Sequence, residues 1–363
     1  MLSVKSDNKR GDSVIRETFR KQGFRILISL SAILLLSVGC SKGEANKKLY
    51  VYNWSEYMPD EVIAEFEKET GIDVVYDVYS SNEEMYAKIK AGGGGYDIAF
   101  PSSDYAKIMI GEGMLQKVDR SKLDNMKHLD PDFLAKMTFD PQHDYAVPYA
   151  MGAVGIAVNT KYVKDFPRSF DIFKMEKYKN RMTLLDDMRE IISSALLIHG
   201  YNQGSTDPEA LKKAKEEALA WKKNILRFDS EGFGKAFASE EYWVAHGYAE
   251  NINSELSDEQ KKHFVYFIPE KGAMMAIDSM VLLKDAKNVE AAHRFMNFIM
   301  RPEVYVKIVE HFNMPSINVE ARKLKSIPDL YPIEELKRAT VLEDIGDAVQ
   351  VHNKVWEEIK LAR

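Results

Sequence analysis

The chain has 363 residues, of which 45% are hydrophobic, 11% aromatic and 29% charged, and it contains one cysteine. This composition excludes a disordered chain and a polytopic membrane protein, and the length predicts about two domains at roughly 150 residues each. The formal net charge of −6 disfavours a nucleic-acid partner, and the single cysteine excludes an intrachain disulfide framework and a zinc site built from several thiolates.

The N-terminal segment is typical of an export signal. A basic stretch precedes an uncharged apolar run over 26–38, which is too short to cross a hydrocarbon core of about 30 Å. The run ends at 36–40 in a pattern that resembles a bacterial lipobox. We therefore predict a lipoprotein signal peptide over 1–39, a lipidated Cys40 and a tether over 40–47. The alternatives are an ordinary signal peptide and a buried core segment. Removal of the signal would leave a net charge of −10.

Strands and helices alternate after the tether. Strands are predicted over 49–52, 72–78 and 96–100, and the helices between them begin after Pro59 and after Asn82, which is a good N-cap residue. This order predicts an α/β lobe with an open sheet, whose ligand crevice lies beyond the carboxyl ends of the strands.

The rest of the chain predicts a second lobe and a connection to it. An apolar, glycine-rich run over 145–159 is consistent with a strand that crosses between the lobes. The other expected elements are a helix over 208–227, a strand over 274–283, and helices over 288–300, 302–311 and 347–361.

Several familiar site motifs are missing from the sequence. The run Gly92 to Gly95 leads into a strand and lacks a following Gly-Lys-Ser/Thr, so it predicts a turn rather than a phosphate loop. The eight histidines lack metal-ligand spacing, and no serine lies in a Gly-x-Ser-x-Gly elbow. We therefore expect no metal, no cofactor and no covalent catalysis.

Three carboxylates are candidates for contact with a charged ligand. Asp187 and Glu190 follow a strand-like run, so they are expected at a strand end and in a first helical turn. There they could form an acid/base pair, or they could only cap the helix. Asp278 is the one charge inside an apolar strand, where a carboxylate needs a compensating partner. It is either a site residue or an edge-strand acid that meets backbone donors.

Aromatic residues follow two of the predicted strands. Trp54 and Tyr57 come after the first strand, and Tyr105 comes after the third. An aromatic face attracts a cation with about 0.5–2 kcal/mol. A box of such rings and two or three carboxylates suits a small alkylammonium ligand, because the rings cover its methylenes and the carboxylates bind its charged ends.

With these residues considered together, the mature chain resembles the spermidine/putrescine-binding proteins of bacterial polyamine ABC transporters. The resemblance rests on the order of several short motifs rather than on any one of them. The segments that carry it lie at 49–57, 66–72, 81–88, 96–97, 101–102, 148–152, 186–190, 278–279, 297–298 and 301–302.

This resemblance implies an α/β, two-lobed periplasmic-binding-protein fold with a ligand cleft between the lobes and crossover hinge strands. It places lobe 1 at 48–151 plus 278–322 and lobe 2 at 152–277 plus 323–363. Asp104 stands where the family has an aromatic residue. The resemblance also implies a set of ligand-binding residues, some at positions that match the family and some, such as Asp104, at positions where the residue type differs. They are Trp54, Tyr57, Ser102, Asp104, Asp187, Glu190, Tyr248 and Asp278.

The chain departs from the family pattern mainly at aromatic positions. Ala276, Met314 and Met151 stand where the family commonly has aromatic residues. The family's tryptophan in segment 240–250 has Tyr248 as its nearest candidate here, with Trp243 second. Methionine can line a pocket flexibly but lacks a cation-binding face. These departures concern the size and affinity of the ligand more than its class.

The resemblance therefore predicts a monomeric, lipid-anchored receptor on the periplasmic face of a bacterial membrane. It would bind spermidine or putrescine and deliver the ligand, by hinge closure, to the permease subunits of an ABC importer. It would have no enzymatic activity and no nucleic-acid partner. The alternatives are the same fold with another small cation, a surface lipoprotein without a transport role, and an enzyme that uses Asp187 and Glu190.

Overall fold

The computed structural model describes residues 47–55 and 57–362, and the chain from Lys48 onward forms one compact unit. The predictions of a signal peptide over 1–39 and of lipidation at Cys40 lie outside the described residues. Within the described part of the chain, no helix combines the length and the hydropathy needed to cross a bilayer.

The described residues form twelve strands. In chain order these are β1 (Lys47–Trp54), β2 (Ile72–Tyr79), β3 (Ile98–Ala99), β4 (Leu115–Gln116), β5 (Ala146–Ala153), β6 (Gly155–Asn159), β7 (Met182–Leu184), β8 (Arg227–Phe228), β9 (Val244–Gly247), β10 (Phe264–Phe267), β11 (Met274–Leu283) and β12 (Thr340–Val341).

Fourteen α-helices pack around these strands in the same residues. They are α1 (Asp60–Thr70), α2 (Asn82–Lys90), α3 (Ser103–Gly111), α4 (Pro131–Leu134), α5 (Met188–Ile198), α6 (Pro208–Lys222), α7 (Phe233–Ala238), α8 (Ala249–Glu255), α9 (Asp258–Lys261), α10 (Val289–Ile299), α11 (Pro302–Phe312), α12 (Val319–Leu324), α13 (Ile333–Leu336) and α14 (Ala348–Leu361).

The strands belong to two sheets, one in each lobe. The first sheet has the order β12-β11-β3-β1-β2, and β4 and β5 also pair with β11. The second sheet has the order β10-β6-β9-β7-β8. In the first sheet β1 and β3 are parallel, so their carboxyl ends lie at the same edge. This edge carries the residues that follow β1 and β3, as the sequence predicts.

The predicted alternation of strands and helices is confirmed, with two local corrections. The N-cap of α2 is Ser81, whose side chain accepts the Glu84 N–H, rather than Asn82. The third strand is shorter than 96–100. Its ladder begins only at Ile98, because the Asp97 side chain takes the place of a backbone acceptor for the Tyr50 N–H.

The long helix predicted over 208–227 ends early. It stops at Lys222, and the Leu226 N–H donates to the carbonyl of Met182 at 2.8 Å. The chain has therefore already joined the second sheet where a continued helix was predicted. Helical periodicity alone does not show this change, because a buried Ile225 fits either element.

The run 145–159 does cross between the sheets, but as two strands. Val154 separates β5 from β6, and its N–H donates to the carbonyl of Met274 at 3.1 Å. Gly155 then opens β6, where a Cβ atom would approach the Phe267 carbonyl oxygen to 2.6 Å. Glycine is needed here because the backbone of β10 lies too close for any side chain. The chain returns to the first sheet between β10 and β11.

Candidate functional site

Asp278 lies in the middle of the first sheet, where the pairing of β5 with β11 is irregular. The register shifts between Asp278 and Ser279, a β-bulge of the kind that redirects a side chain. The Asp278 carboxylate receives two hydroxyl donors: Tyr57 at 2.7 Å on Oδ2 and Ser102 at 2.6 Å on Oδ1. These donors follow β1 and β3, so the common edge of the two parallel strands brings them to the same carboxylate.

These contacts exclude one of the two interpretations of Asp278. The expectation of an edge-strand acid with backbone donors is wrong, since its partners are side-chain hydroxyls and β11 lies inside the sheet. Burial raises the pKa of Asp278, and the hydrogen bonds from Ser102 and Tyr57 oppose this rise. Burial and the Asp278 charge raise the pKa of Tyr57 as well, so its hydroxyl stays protonated as a donor.

The aromatic residues that follow β1 lie beside this carboxylate. The ring centroids of Trp54 and Tyr57 are 6.5 Å apart with planes at 63°, and the Trp54 indole N–H donates to the Phe100 carbonyl at 2.9 Å. Tyr57 also packs against Phe312 at 5.2 Å. The third predicted aromatic, Tyr105, does not join this pair. It packs against Tyr86 and donates to Glu83 on the surface of α2 and α3.

Asp187 and Glu190 lie at the start of α5 in the second lobe. Asp187 is the N-cap and accepts the backbone N–H groups of Arg189 at 2.7 Å and of Glu190 at 3.1 Å. The capping role predicted as an alternative is therefore present, and Asp187 remains solvent-exposed beside it.

Glu190 has a different environment, since it is only 6% exposed and its Oε2 atom has no hydrogen-bond partner among the described residues. Burial, with the neighbouring Asp187 charge, raises the pKa of Glu190 to about 8, although Arg189 opposes the shift. A buried carboxylate without a partner is costly, and such shifted groups cluster at functional sites.

Tyr248 is subject to the charges of carboxylates from both lobes. It is the residue before α8 and is 41% exposed, although protein surrounds much of the ring. Burial and the charges of Glu190, Asp187 and Asp278 raise its pKa. Carboxylates of both sheets therefore lie within electrostatic range of one tyrosine.

Trp243, the second candidate for the family's tryptophan, does not share this environment. It stacks on Tyr162, with the ring centroids 4.7 Å apart and the planes at 12°. Of the two candidates, Tyr248 is the one on which the charges of the candidate carboxylates act.

Asp104 is in the first turn of α3, on the first lobe, and its Oδ1 atom lacks a hydrogen-bond partner in the described part of the chain. Burial raises the pKa of Asp104 to about 6, Asp278 adds to the rise, and Arg189 of the second lobe opposes it. Arg189 also donates to the Glu343 carbonyl at 2.7 Å. This arginine belongs to the 186–190 segment of the family resemblance but was not predicted as a site residue, and its charge acts on both Glu190 and Asp104.

Glu250 is a further carboxylate that the sequence analysis missed. It lies two residues after Tyr248, and its charge contributes to the raised pKa values of Tyr248 and Tyr57. Its position in a short polar helix carries no recognisable signal. Only the tertiary structure brings it near the other groups.

The three residues that stand in place of the family's aromatic residues lie in different environments. Met151 is 1% exposed within the core of the first lobe. Ala276 pairs with Gly152 across the β5–β11 ladder, so neither residue provides a ring there. Met314 is partly buried and follows α11.

Taken together, these residues can bind an elongated cation. Charges of carboxylates from both lobes act on Tyr248, and Trp54 and Tyr57 offer aromatic surface next to Asp278. Among residues 47–55 and 57–362, no group of three or more His, Cys, Asp or Glu side chains is arranged to hold a metal ion. The glycine run 92–95 is a turn at the amino end of β3, at the opposite edge of the sheet from Ser102.

The comparisons with known proteins all identify solute-binding proteins of bacteria. The model of the bacterial extracellular solute-binding proteins matches residues 61–330. The spermidine/putrescine-binding periplasmic protein of Salmonella typhimurium is 36% identical over 94% of this chain and 100% of its own length. The spermidine/putrescine-binding periplasmic protein 1 of Haemophilus influenzae is 37% identical over 88% of this chain and 90% of its own.

The solved structures give the same picture. The crystal structure of the TpPotD lipoprotein of Treponema pallidum superposes with a TM-score of 0.81 and 37% identity, covering 86% of this chain and 99% of that one. The spermidine/putrescine transporter substrate-binding protein PotD of Streptococcus pneumoniae gives a TM-score of 0.79 at 28% identity, covering 87% and 99%. These structures have the two-lobed fold expected from the sequence.

Proposed function

This chain belongs to the family of bacterial extracellular solute-binding proteins, and we propose that it is a receptor for a polyamine of the spermidine or putrescine type. The observation that supports the proposal is the buried Asp278 carboxylate, which Tyr57 and Ser102 hold by hydrogen bonds beside the Trp54 and Tyr57 rings. The printed names of the relatives supply the ligand class, and the arrangement of carboxylates and rings is chemically suited to it.

A linear polyamine alternates charged ammonium groups with apolar methylenes. Asp278, fixed by Tyr57 and Ser102, would accept hydrogen bonds from one ammonium, and Asp187 with Glu190 would bind another. The faces of Trp54, Tyr57 and Tyr248 would cover the methylenes and attract the charges, while Asp104 would add negative charge at the first lobe.

Ligand binding would favour closure of the two lobes, because only the closed form lets carboxylates of both lobes contact one ligand. The crossover at Val154 and the return into β11 are the natural hinge segments. The lobe limits of 48–151 plus 278–322 and 152–277 plus 323–363 remain part of this proposal, with β12 of the last segment joined to the first sheet through its pairing with β11. The closed monomer would then deliver the ligand to the permease subunits of an ABC importer.

Lipidation of Cys40 would hold the receptor at the periplasmic face of a bacterial membrane. The tether over 40–47 would join the lipid to β1, which begins at Lys47. A lipid on the N-terminus and a short polar linker leave the two lobes free to close.

Direct binding tests the proposed function. Calorimetric titration of the purified protein with putrescine and with spermidine should show saturable binding at one site. Native mass spectrometry of freshly purified protein should show a polyamine mass. Absence of binding to both compounds, or a co-purified ligand of a different class, would reject the proposal.

Binding should weaken as the pH falls. The pKa of Glu190 is about 8, so this carboxyl binds a proton in the free protein at mildly acidic pH. An ammonium ligand requires the ionised carboxylate, and its protonation costs up to about tenfold in affinity per pH unit below the pKa. The charged neighbours of Glu190 are Asp187 and Arg189.

We therefore expect at least tenfold weaker binding of spermidine at pH 6 than at pH 8. Calorimetry in buffers of different ionisation enthalpy should show net proton release on binding. Glu190→Gln should reduce the number of protons released. Affinity that stays constant over this range would contradict the assignment of Glu190 to the site.

A further inference from the structure

The edge of the first sheet that lies opposite the candidate site carries several lysines. β1 and β3 are parallel, and β11 runs antiparallel to β3, with Leu282 opposite Ile98. The amino end of β1 and the carboxyl end of β11 therefore lie at the same edge of the sheet. This arrangement brings Lys47 and Lys48, the first two residues of β1, to the edge that also carries the residues after β11.

Two exposed lysines, Lys284 and Lys287, directly follow β11. The ammonium groups of Lys47, Lys48, Lys284 and Lys287 form no ion pair and no hydrogen bond with any protein group that the structure describes. We call these four residues the lysine edge. It presents four positive charges without a direct partner, although the mature chain would carry a net charge of −10. Such an asymmetry of charge favours an anionic surface as the partner of this edge.

A cavity of about 510 Å³ opens at the lysine edge, which is within the range of about 300–1,000 Å³ typical of ligand pockets. The lysines that line it are Lys90, Lys284 and Lys287. Its acidic lining residues are Glu112 and Asp285, and Glu112 already pairs with Lys90 at 2.9 Å. The cavity therefore keeps two lysines whose ammonium groups are free to bind an anion.

The glycine turn over 92–95 adds a backbone donor to this cavity. The N–H groups of Gly92 and Gly93 donate to the carbonyls of Ile89 and Lys88 at 3.0 Å, so these carbonyls at the end of α2 are already satisfied. The N–H of Gly95, which also lines the cavity, has no acceptor within the described part of the chain. A phosphate oxygen can accept hydrogen bonds from such an N–H group and from lysine ammonium groups.

The predicted tether leads to the same edge of the sheet. Six residues separate Cys40 from Lys47, and a fully extended chain of this length spans at most about 25 Å. A lipid on Cys40 would therefore keep the start of β1 close to the bilayer. Ser102 follows the other end of β3, so the cleft would remain open to the solution while the lysine edge faces the membrane.

We propose that the lysine edge and its cavity contact the headgroups of anionic phospholipids, so that the first lobe rests on the membrane with the cleft on the far side. This inference rests on the lipidation of Cys40 in the proposed function, which would bring the edge near the bilayer. Each lysine near an anionic bilayer contributes roughly fivefold in binding. The contact is therefore reversible, and salt weakens it by screening.

Vesicle sedimentation tests the proposal on the mature chain from Ser41, which lacks the lipid and contains the whole compact unit from Lys48. At low salt it should bind vesicles of equal parts phosphatidylglycerol and phosphatidylcholine. It should bind vesicles of phosphatidylcholine alone at least about tenfold more weakly. The double variant Lys284→Gln with Lys287→Gln should bind the anionic vesicles about tenfold or more weakly than the wild type.

The matched control is the double variant Lys212→Gln with Lys354→Gln. It removes the same charge from exposed lysines of α6 and α14 in the second lobe, and it should change vesicle binding by less than about twofold. All four substituted side chains are exposed, so both double variants should unfold at the midpoint of the wild type. Thermal unfolding in the absence of vesicles checks that they are folded.

Three results would overturn the proposal: equal binding to both kinds of vesicle, wild-type binding by the Lys284 and Lys287 variant, or the same loss in the control. In the lipidated protein, anionic vesicles should also slow acetylation of Lys284 and Lys287 relative to neutral vesicles, and equal rates would count against the contact. Calorimetry with polyamines and the mass of the Cys40 peptide test the proposed function separately. A protein that fails only the vesicle assays therefore loses this inference alone.

Discussion

Asp278→Asn is expected to weaken binding of both putrescine and spermidine by at least about 100-fold, or about 3 kcal/mol. The substitution removes the charge at the one carboxylate that receives hydroxyl donors from the residues after β1 and β3. An ammonium would then enter a buried position without its counter-charge. Asparagine can still hydrogen-bond to Tyr57 and Ser102, so the local fold should be retained. Calorimetry at pH 8 measures the effect.

The matched control for Asp278→Asn is Asp186→Asn. Asp186 is an exposed carboxylate in the second lobe that pairs with Lys360, and exposed ion pairs contribute little. The control removes the same charge and should change either affinity by less than about twofold. If the two variants behave alike, Asp278 is not the central ammonium-binding residue.

Glu190→Gln is expected to stabilise the unliganded protein at pH 8 while it weakens polyamine binding. The pKa of Glu190 in the folded protein is about 8, against an ordinary value of 4.5. Because the pKa is higher in the folded protein than in the unfolded chain, the Glu190 carboxyl contributes most to stability at a pH where it is protonated in both states. This contribution is lost as the pH rises from the ordinary pKa of about 4.5 through the folded-state pKa of about 8. At pH 8 the carboxyl is fully ionised in the unfolded chain but only about half ionised in the folded protein, and glutamine removes this difference.

The size of this effect follows from the shift in pKa. Each unit corresponds to about 1.4 kcal/mol, so the substitution should increase the free energy of unfolding by a few kcal/mol at pH 8. We expect the midpoint of thermal unfolding to rise by about 5 °C or more at pH 8, and to change little at pH 5. Differential scanning calorimetry at the two pH values measures this difference.

Two results would argue against this account of Glu190. One is an equal change in unfolding temperature at both pH values, which would indicate a packing effect. The other is destabilisation at pH 8, which would indicate that the carboxylate has a compensating partner in the folded protein. Glu255→Gln serves as the control, because that side chain is exposed and should leave both curves unchanged.

These two variants separate the roles of the carboxylates. Asp278 already has two hydroxyl donors, so the loss of its charge should act mainly on the bound state. Glu190 lacks a partner for Oε2, so the loss of its charge should also relieve a cost in the free state. Binding sites for charged ligands commonly lower the stability of the free protein, and the bound ligand then restores part of that stability.

The sequence by itself determined the elements of the molecule and several of its candidate residues. Periodicity and end signals predicted most of the strands and helices, since these are local properties of the chain. Asp278 was conspicuous because a charge inside an apolar strand needs a partner. Asp187 was identifiable as a helix cap from its place before an apolar helix.

The tertiary structure decided which of these residues meet. Tyr57 and Ser102 lie 221 and 176 positions from Asp278 in sequence, and only the pairing of β1, β3 and β11 brings them to its carboxylate. Glu250 and Arg189 had no local signal, because a charged residue near a helix start is usually solvated. Their partial burial depends on packing against distant parts of the chain, and partial burial of this kind is a property of the folded molecule rather than of any segment.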